Sequence, residues 1–352
     1  MPGVTRETRR LPSSLPSPAP DPTLAPAEQL EQALFEVKRV LVGQDRMIER
    51  LFVCLLSRGH ALLEGAPGLA KTLAAETVAA VIGGTFVRLQ FTPDLLPADI
   101  VGTRIYRPSQ EAFDVELGPV FANIVLADEV NRAPAKVQSA LLEVMAEHHV
   151  SIAGTTYDVP DPFLVLATQN PIESEGVYPL PEAQRDRFLM KIVVGYPSAT
   201  EEAEIVRRMS VDPPRGGQVL SPEQLLALQS AADQVFVHDA VVDYAVRLTL
   251  ASRAPADHGL TDVAPHIAHG ASPRATLGLV AGGRALALMR GRTYVLPQDV
   301  YDVSRDVLRH RVLLSYEALA DGVTAEDVVE RIVRTVVAPR ITPSQDDEAA
   351  AS

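Results

Sequence analysis

The run Ala61-Leu-Leu-Glu-Gly-Ala-Pro-Gly-Leu-Ala-Lys-Thr72 holds the residue types that bind phosphate: glycines that shape a turn, then a lysine and a hydroxyl. In such a loop backbone N–H groups point at the phosphates, the lysine reaches the β and γ positions, and the next hydroxyl holds a magnesium ion. Gly65 and Gly68 would shape the turn around Ala66, Pro67 and Leu69, and Lys71 and Thr72 would carry the chemistry. The common pattern G-x-x-x-x-G-K-[ST] wants glycine where this chain has Ala70. A Cβ is tolerated there if the backbone keeps negative φ, so Ala70 is expected at negative φ, with Lys71 opening the helix.

Two acids, Asp128 and Glu129, close the apolar run that starts at Asn123. One carboxylate can orient a magnesium ion and its water while the other polarises an attacking water, which is what hydrolysis of a nucleoside triphosphate needs. Alone they would be two solvated acids at a strand end; beside a phosphate cradle on the same sheet they become a site. Asn170 tips the next apolar run, Phe163 to Asn170, where its amide can hold a terminal phosphate or the lytic water, or can make an Asx turn before Pro171. Ser272-Pro273 reads as N-cap and first helical residue, so the Arg274 cation opposes a helix dipole in its first turn. An anion brought to that end relieves the conflict.

The elements that must position these residues follow from periodicity and punctuation. Helices are predicted over 27–40 and through Leu56, on either side of Val42-Gly-Gln-Asp45, and over 71–81, ending at Gly83-Gly84. Strands are predicted at 61–64, 85–91, 123–129, 163–170 and 190–194, which gives β-α-β units and a parallel sheet. Residues 92–119 read as an insertion with a hairpin, and 150–159 as a second hairpin turning at Gly154. After Tyr196-Pro197 helices take over, so a boundary is expected near Ser198. Ser198 with Glu201 and Ser221 with Gln224 are the capping pairs of the first two helices, and later ones are expected at 239–252, 273–289, 297–308 and 325–336.

Composition narrows the class. The 352 residues are 47% hydrophobic without a long apolar run, which describes a soluble two-domain protein, and the start lacks a secretory leader, so a cytoplasmic location is expected. Residues 1–26 are rich in Pro, Ser, Ala and Thr and read as a disordered tail, as does the acidic end from 341 to 352. The single cysteine, Cys54, excludes a disulfide framework and reads as a small buried hydrophobe. A net charge of −13 argues against a nucleic-acid partner and toward a protein one. His266 and His269, near Asp257 and His258, lie in a loop-like segment without cysteine and read as no metal site, and His148 and His149 as solvent-facing at a helix end.

Five runs together resemble the MoxR family of AAA+ ATPases: Gly-Ala-Pro-Gly-Leu-Ala-Lys-Thr from Gly65, Asp-Glu-Val-Asn-Arg-Ala-Pro from Asp128, Ala-Thr-Gln-Asn-Pro from Ala167, Leu-Pro-Glu-Ala-Gln-Arg-Asp-Arg-Phe from Leu180, and Gly-Ala-Ser-Pro-Arg-Ala from Gly270. The likeness covers about Glu28 to Pro339, and Ala70 is the residue that family carries. It implies an α/β fold: an αβα nucleotide-binding core with a five-stranded parallel sheet over 27–197 and an all-α lid over 198–340, with ATP and Mg²⁺ between them. It puts Walker A on Gly65 to Thr72, Walker B on Asp128 and Glu129, sensor 1 on Asn170 and sensor 2 on Arg274. Arg187 matches the arginine finger that reaches a neighbouring subunit, with Arg185 as a rival, and Val42, Gly43 and Gln44 match the adenine-flanking turn. Residues 92–119 match the helix-2 insert and 150–159 the hairpin before sensor 1. The resemblance further implies a homo-oligomeric ring, a hexamer, that remodels or activates a partner protein, often one with a von Willebrand factor A domain. The alternatives are a nucleic-acid-stimulated motor of the RuvB or McrB kind, for which Arg104 and Arg107 are the basic hint, and a magnesium-chelatase-like subunit.

Overall fold

A computed structural model gives the fold and describes residues 23–108, 111–170 and 178–340. Most of the expected N-terminal tail, Pro171 and the segment 341–352 lie outside the described residues. Helix α1 (Pro26–Val40) opens with proline at its first position, where a missing N–H costs nothing, and α2 (Asp45–Leu56) follows the Val42–Gln44 turn. Strand β1 (Ala61–Glu64), α3 (Lys71–Val81) and β2 (Phe86–Gln90) then form the first β-α-β unit. The insertion consists of a short helix α4 (Pro97–Val101), which periodicity does not reveal, and the antiparallel hairpin β3 (Gly102–Arg107) and β4 (Ala112–Leu117). Next come β5 (Ile124–Asp128), α5 (Ala135–Glu147), the hairpin β6 (His149–Ile152) and β7 (Thr155–Asp158), β8 (Leu164–Gln169), α6 (Glu182–Arg185) and β9 (Met190–Val193).

Five strands make one parallel sheet in the order β2-β5-β8-β1-β9. Successive side chains of a strand point to opposite faces, and a parallel sheet is covered on both, so alternate residues feed two cores. Leu63, Leu126, Leu166 and Ile192 face a cluster built with α1, α2 and α3, whereas Leu62, Val125, Ala127 and Val165 face one built with α4, α5 and the β6–β7 hairpin. The first cluster does not stop at the sheet. It runs on into Leu225, Tyr244, Leu279, Val300 and Val329 of the C-terminal helices.

Those helices are α7 (Ala199–Met209), α8 (Pro222–Asp233) and α9 (Asp239–Arg253), followed by a short strand β10 (Ile267–His269). Then α10 (Pro273–Met289) and α11 (Pro297–Leu308) precede β11 (Leu313–Leu314), α12 (Tyr316–Asp321) and α13 (Ala325–Thr335). The expected capping boxes form: Glu201 N–H donates to Ser198 Oγ at 3.3 Å and Gln224 N–H to Ser221 Oγ at 3.2 Å. Pairing of β10 with β11 puts His269 in a strand rather than a loop, and His266 Nε2 lies 2.9 Å from Asp321 Oδ2. Among the described residues no group of three or more His, Cys, Asp or Glu could hold a metal ion, and no helix is long and apolar enough to cross a membrane.

Two buried polar features tie the layers together. Arg50 of α2 and Asp306 of α11, 5% and 1% exposed, pair at 2.9 Å across the continuous core. A buried carboxylate without such a partner would cost several kcal/mol. His60, just before β1, accepts the Val165 N–H at Nδ1 (3.0 Å), so its neutral ring carries the proton at Nε2 and donates it to Met145 O, also at 3.0 Å. Cys54 is buried as expected, and burial pushes its thiol up.

Burial also lowers the His60 imidazole from 6.5 to about 4, and lowers that of His310 well below its ordinary value. The unfolded chain therefore takes up protons at a higher pH than the folded one. Stability should be complete above about pH 6.5 and fall as pH drops toward 4, with His60 alone removing on the order of 2 kcal/mol by about pH 5. Urea unfolding midpoints measured across that window check this, and His60→Gln should flatten the slope. A slope unchanged by that substitution would rule His60 out as its source.

Candidate functional site

The turn after β1 is shaped by two glycines and one buried leucine. A Cβ on Gly65 would meet Val194 O at 2.6 Å, so no larger residue fits between the tips of β1 and β9. Gly68 takes φ +82°, in the left-handed region where a glycine has no side chain to clash. Between it and the helix, Leu69 is buried in the core. The chain must then turn sharply to start α3 at Lys71, and Ala70 makes that turn at φ 56°, ψ 20°. The expectation of negative φ is thus wrong. With Leu69 anchored on one side and the helix axis fixed on the other, the left-handed conformation is imposed on Ala70, and alanine bears it as the smallest residue with a Cβ. Lys71 does begin the helix.

Helix α3 has no side-chain N-cap and no acid in its first turn. Its first N–H groups and the positive end of its dipole are left for an anion from outside. Lys71 Nζ folds back to donate to Gly65 O at 2.6 Å and Ala66 O at 3.2 Å. Desolvation lowers its pKa, opposed by the charges of Asp128 and Glu129. Thr72, half-buried, stands beside it in the same first turn.

The acids enter from the neighbouring strands. Asp128 ends β5, and Glu129 follows it at φ 56°, a left-handed turn that lifts its carboxylate off the strand direction. Register puts Gln90 opposite Asp128 and Glu64 opposite Gln169, so the tips of β2, β5, β8 and β1 end level, with Asn170, buried, directly after β8. Thr168 Oγ1 donates to Asp128 Oδ1 at 2.6 Å and accepts the Glu129 N–H at 2.8 Å. Arg88 Nε donates to Asp128 Oδ2 at 3.1 Å, Gln90 Nε2 to Glu129 Oε2 at 2.8 Å, and Arg132 Nε lies 3.1 Å from that same oxygen. Sequence reasoning missed Arg88, Gln90, Arg132 and Thr168. Alternation along 86–90 puts Arg88 and Gln90 on one face, but which strand lies beside them is not written in that run.

The remaining predicted residues lie further out. Val42, Gly43 and Gln44 form the turn between α1 and α2, from which Gln44 Nε2 donates to Gly195 O at 2.8 Å. Arg187, exposed just after α6, donates to Leu142 O of α5 at 2.5 Å rather than reaching toward the cradle of its own chain. Asp186 pairs instead with Arg311 at 2.8 Å, accepts the Ser272 hydroxyl at 2.8 Å, and lies 3.6 Å from Arg274 Nη1. Ser272 caps α10 by accepting the Arg274 N–H, which fixes Arg274 in the first turn as expected. An open helix N-terminus, a lysine and a hydroxyl on α3, with two carboxylates at the tip of β5, fit a polyphosphate with a divalent cation.

Known proteins resemble this chain in sequence and in fold. The profile of the ATPase family associated with various cellular activities (AAA) matches residues 60–190, and that of the AAA lid domain matches 259–332. Chaperone MoxR1 of Mycobacterium tuberculosis is 63% identical over 317 residues, spanning 90% of this chain and 84% of its own. Protein MoxR of Methylorubrum extorquens is 32% identical over 326 residues, spanning 86% of this chain and 93% of its own. A crystal structure of a candidate ATPase from Cytophaga hutchinsonii superposes with a TM-score of 0.85 at 46% identity, over 90% of this chain and 96% of that one.

Strain at Ala70 makes a prediction. Ala70→Gly removes the Cβ from a left-handed residue and should stabilise the fold by about 1 kcal/mol, less what the freer unfolded chain takes back. The thermal midpoint should rise by roughly 2 °C. A lower midpoint would show that Ala70 is not strained.

Proposed function

The chain belongs to the MoxR family of AAA ATPases, and on that premise we propose that it binds ATP with Mg²⁺ and hydrolyses it to remodel, assemble or activate a partner protein. The observation that carries the reading is the level ending of β1, β5 and β8, which gathers Lys71, Thr72, Asp128, Glu129 and Asn170 around the uncapped N-terminus of α3. Gly65 to Thr72 act as Walker A, Asp128 and Glu129 as Walker B, and Asn170 as sensor 1. Thr72 and Asp128 would hold Mg²⁺, and the metal-bound nucleotide supplies the phosphoanhydride bond and the polarisation of its oxygens.

The protein's own groups do the rest. Loop N–H groups and Lys71 bind the phosphates, and Glu129 takes the proton of the attacking water once its bonds to Gln90 and Arg132 open. Asn170 orients that water or the terminal phosphate. Arg274, in an unfavourable position at a helix N-terminus, gains a phosphate partner in place of Asp186. The turn Val42–Gln44 flanks the adenine. The division into a core over 27–197 and a lid over 198–340 puts the nucleotide between them, so its hydrolysis moves the lid and the two hairpins. Subunits form a homo-oligomeric ring, a hexamer, in the cytoplasm, with Arg187 reaching the neighbour's nucleotide and a von Willebrand factor A domain protein as the partner. Arg104 stacks over Phe113 and Arg107 pairs with Asp114, so both basic residues of the insert are engaged internally and favour no nucleic-acid reading.

Glu129→Gln should bind ATP yet hydrolyse it at least about a hundredfold more slowly. Turnover at the unaltered rate would sink the catalytic assignment, and the same variant held in ATP is the bait for the partner. Arg187→Ala should lower turnover by on the order of a thousandfold. Mixing it with a Glu129→Gln chain pairs an intact site with a neighbour's intact arginine and should restore activity; failure to restore it would refute action across the subunit boundary.

A further inference from the structure

Arg88 and Asp128 form an ion pair that strand pairing alone does not produce. The register partner of Arg88 on β5 is Leu126, and Asp128 stands opposite Gln90. The Arg88 guanidinium runs diagonally, two residues forward along the sheet, to bond the strand tip. Both of its bonds, from Nε at 3.1 Å and from Nη2, go to Oδ2 of Asp128, while Oδ1 is taken by the Thr168 hydroxyl at 2.6 Å. One carboxylate oxygen is thus fixed by the sheet and the other carries a cation. The Arg88 side chain is 50% exposed, against 14% for Asp128, so water screens the pair and it adds little to folding. An interaction that weak does not hold β2, whose packing comes from the buried Val87 and Leu89.

We propose that Arg88 is a positioning residue that occupies the metal-facing oxygen of Asp128 in the nucleotide-free chain and gives it up when a divalent cation arrives with nucleotide. The inference rests on the assignment of Asp128 to Mg²⁺. Two consequences follow from charge. A free divalent cation approaching Asp128 is repelled by the guanidinium and finds the carboxylate already neutralised. A cation that comes bound to a polyphosphate brings negative charge that offsets this repulsion and gives Arg88 a new partner. The site is therefore ordered: metal binds with nucleotide rather than ahead of it.

The test uses the full chain and Mn²⁺ as the probe, with free Mn²⁺ read by electron paramagnetic resonance, so that it does not depend on turnover. Without nucleotide, Arg88→Met should bind Mn²⁺ about fivefold more tightly than the unaltered chain, the ratio that 1 kcal/mol gives. Arg88→Lys, which keeps the charge, should match the unaltered chain, and a non-hydrolysable ATP analogue should close the gap between Arg88→Met and the unaltered chain. Arg88→Gln repeats the measurement should methionine perturb the strand. Equal Mn²⁺ affinities without nucleotide, or a lysine variant that behaves like methionine, overturn the role of Arg88. Asp128→Asn distinguishes failure of the Arg88 role from failure of the Mg²⁺ assignment. If it abolishes Mn²⁺ binding in the nucleotide-loaded chain while Arg88→Met has no effect, Asp128 stands and Arg88 falls; if it leaves that binding intact, both fall.

Discussion

One hydroxyl holds the acidic tip of the sheet together. Thr168 gives its proton to Asp128 Oδ1 and takes the N–H of Glu129 on its lone pair, so both acids are tied to β8 by a single side chain. That geometry needs β5 and β8 adjacent, parallel and in the register that sets Ala127 opposite Ala167. A slip of one residue would turn Thr168 to the other face and leave the acids to solvent. The same register levels β1 with β8 and brings the cradle and Lys71 beside the carboxylates. Everything proposed for nucleotide chemistry depends on this alignment, and the two apolar clusters that cover the sheet on its opposite faces maintain it.

Charge is managed differently at the site and in the core. Asp306 and Arg50 are sealed inside the continuous cluster, and Asp299, fully buried, is satisfied by Arg290 at 2.7 Å and Arg292 at 2.6 Å. Such pairs are costly to break, and they join α2 to α11 and the end of α10 to α11. The acids at the sheet tip instead hold exposed, exchangeable partners in Arg88, Gln90 and Arg132. Asp186 lies between these extremes, with one oxygen on the buried Arg311 and the other shared by Ser272 and the exposed Arg274. It joins the start of α10 to the residue beside Arg187.

Most elements were legible because their signals are local. The period of 71–81, the apolar runs at 124–128 and 164–169 and the capping pairs at Ser198 and Ser221 each need only their own neighbours, and each formed where expected. α4 and the β10–β11 ladder escaped because a five-residue helix and a two-residue strand are too short to show a period and exist through their packing and pairing partners. Ala70 failed for a related reason. Its conformation is the residual of two constraints, a buried Leu69 and the direction of α3, and neither is visible in the alanine itself.

By itself the sequence determined which side chains could do chemistry, because a lysine and threonine after a glycine turn, two acids at a strand end and an asparagine after the next apolar run are statements about composition and spacing. It also determined the class of fold, since alternating strand and helix periods lead to a parallel sheet. Tertiary structure decided who touches whom. Strand order set β2 beside β5 and so delivered Arg88 and Gln90 to Asp128 and Glu129, from about forty residues away in the chain. It turned Arg187 toward α5, tied Asp186 to Arg274, and ran one apolar core from the sheet into the C-terminal helices. The physical reason is that periodicity encodes which face of an element is buried, whereas the neighbour on that face is chosen by burying all faces at once.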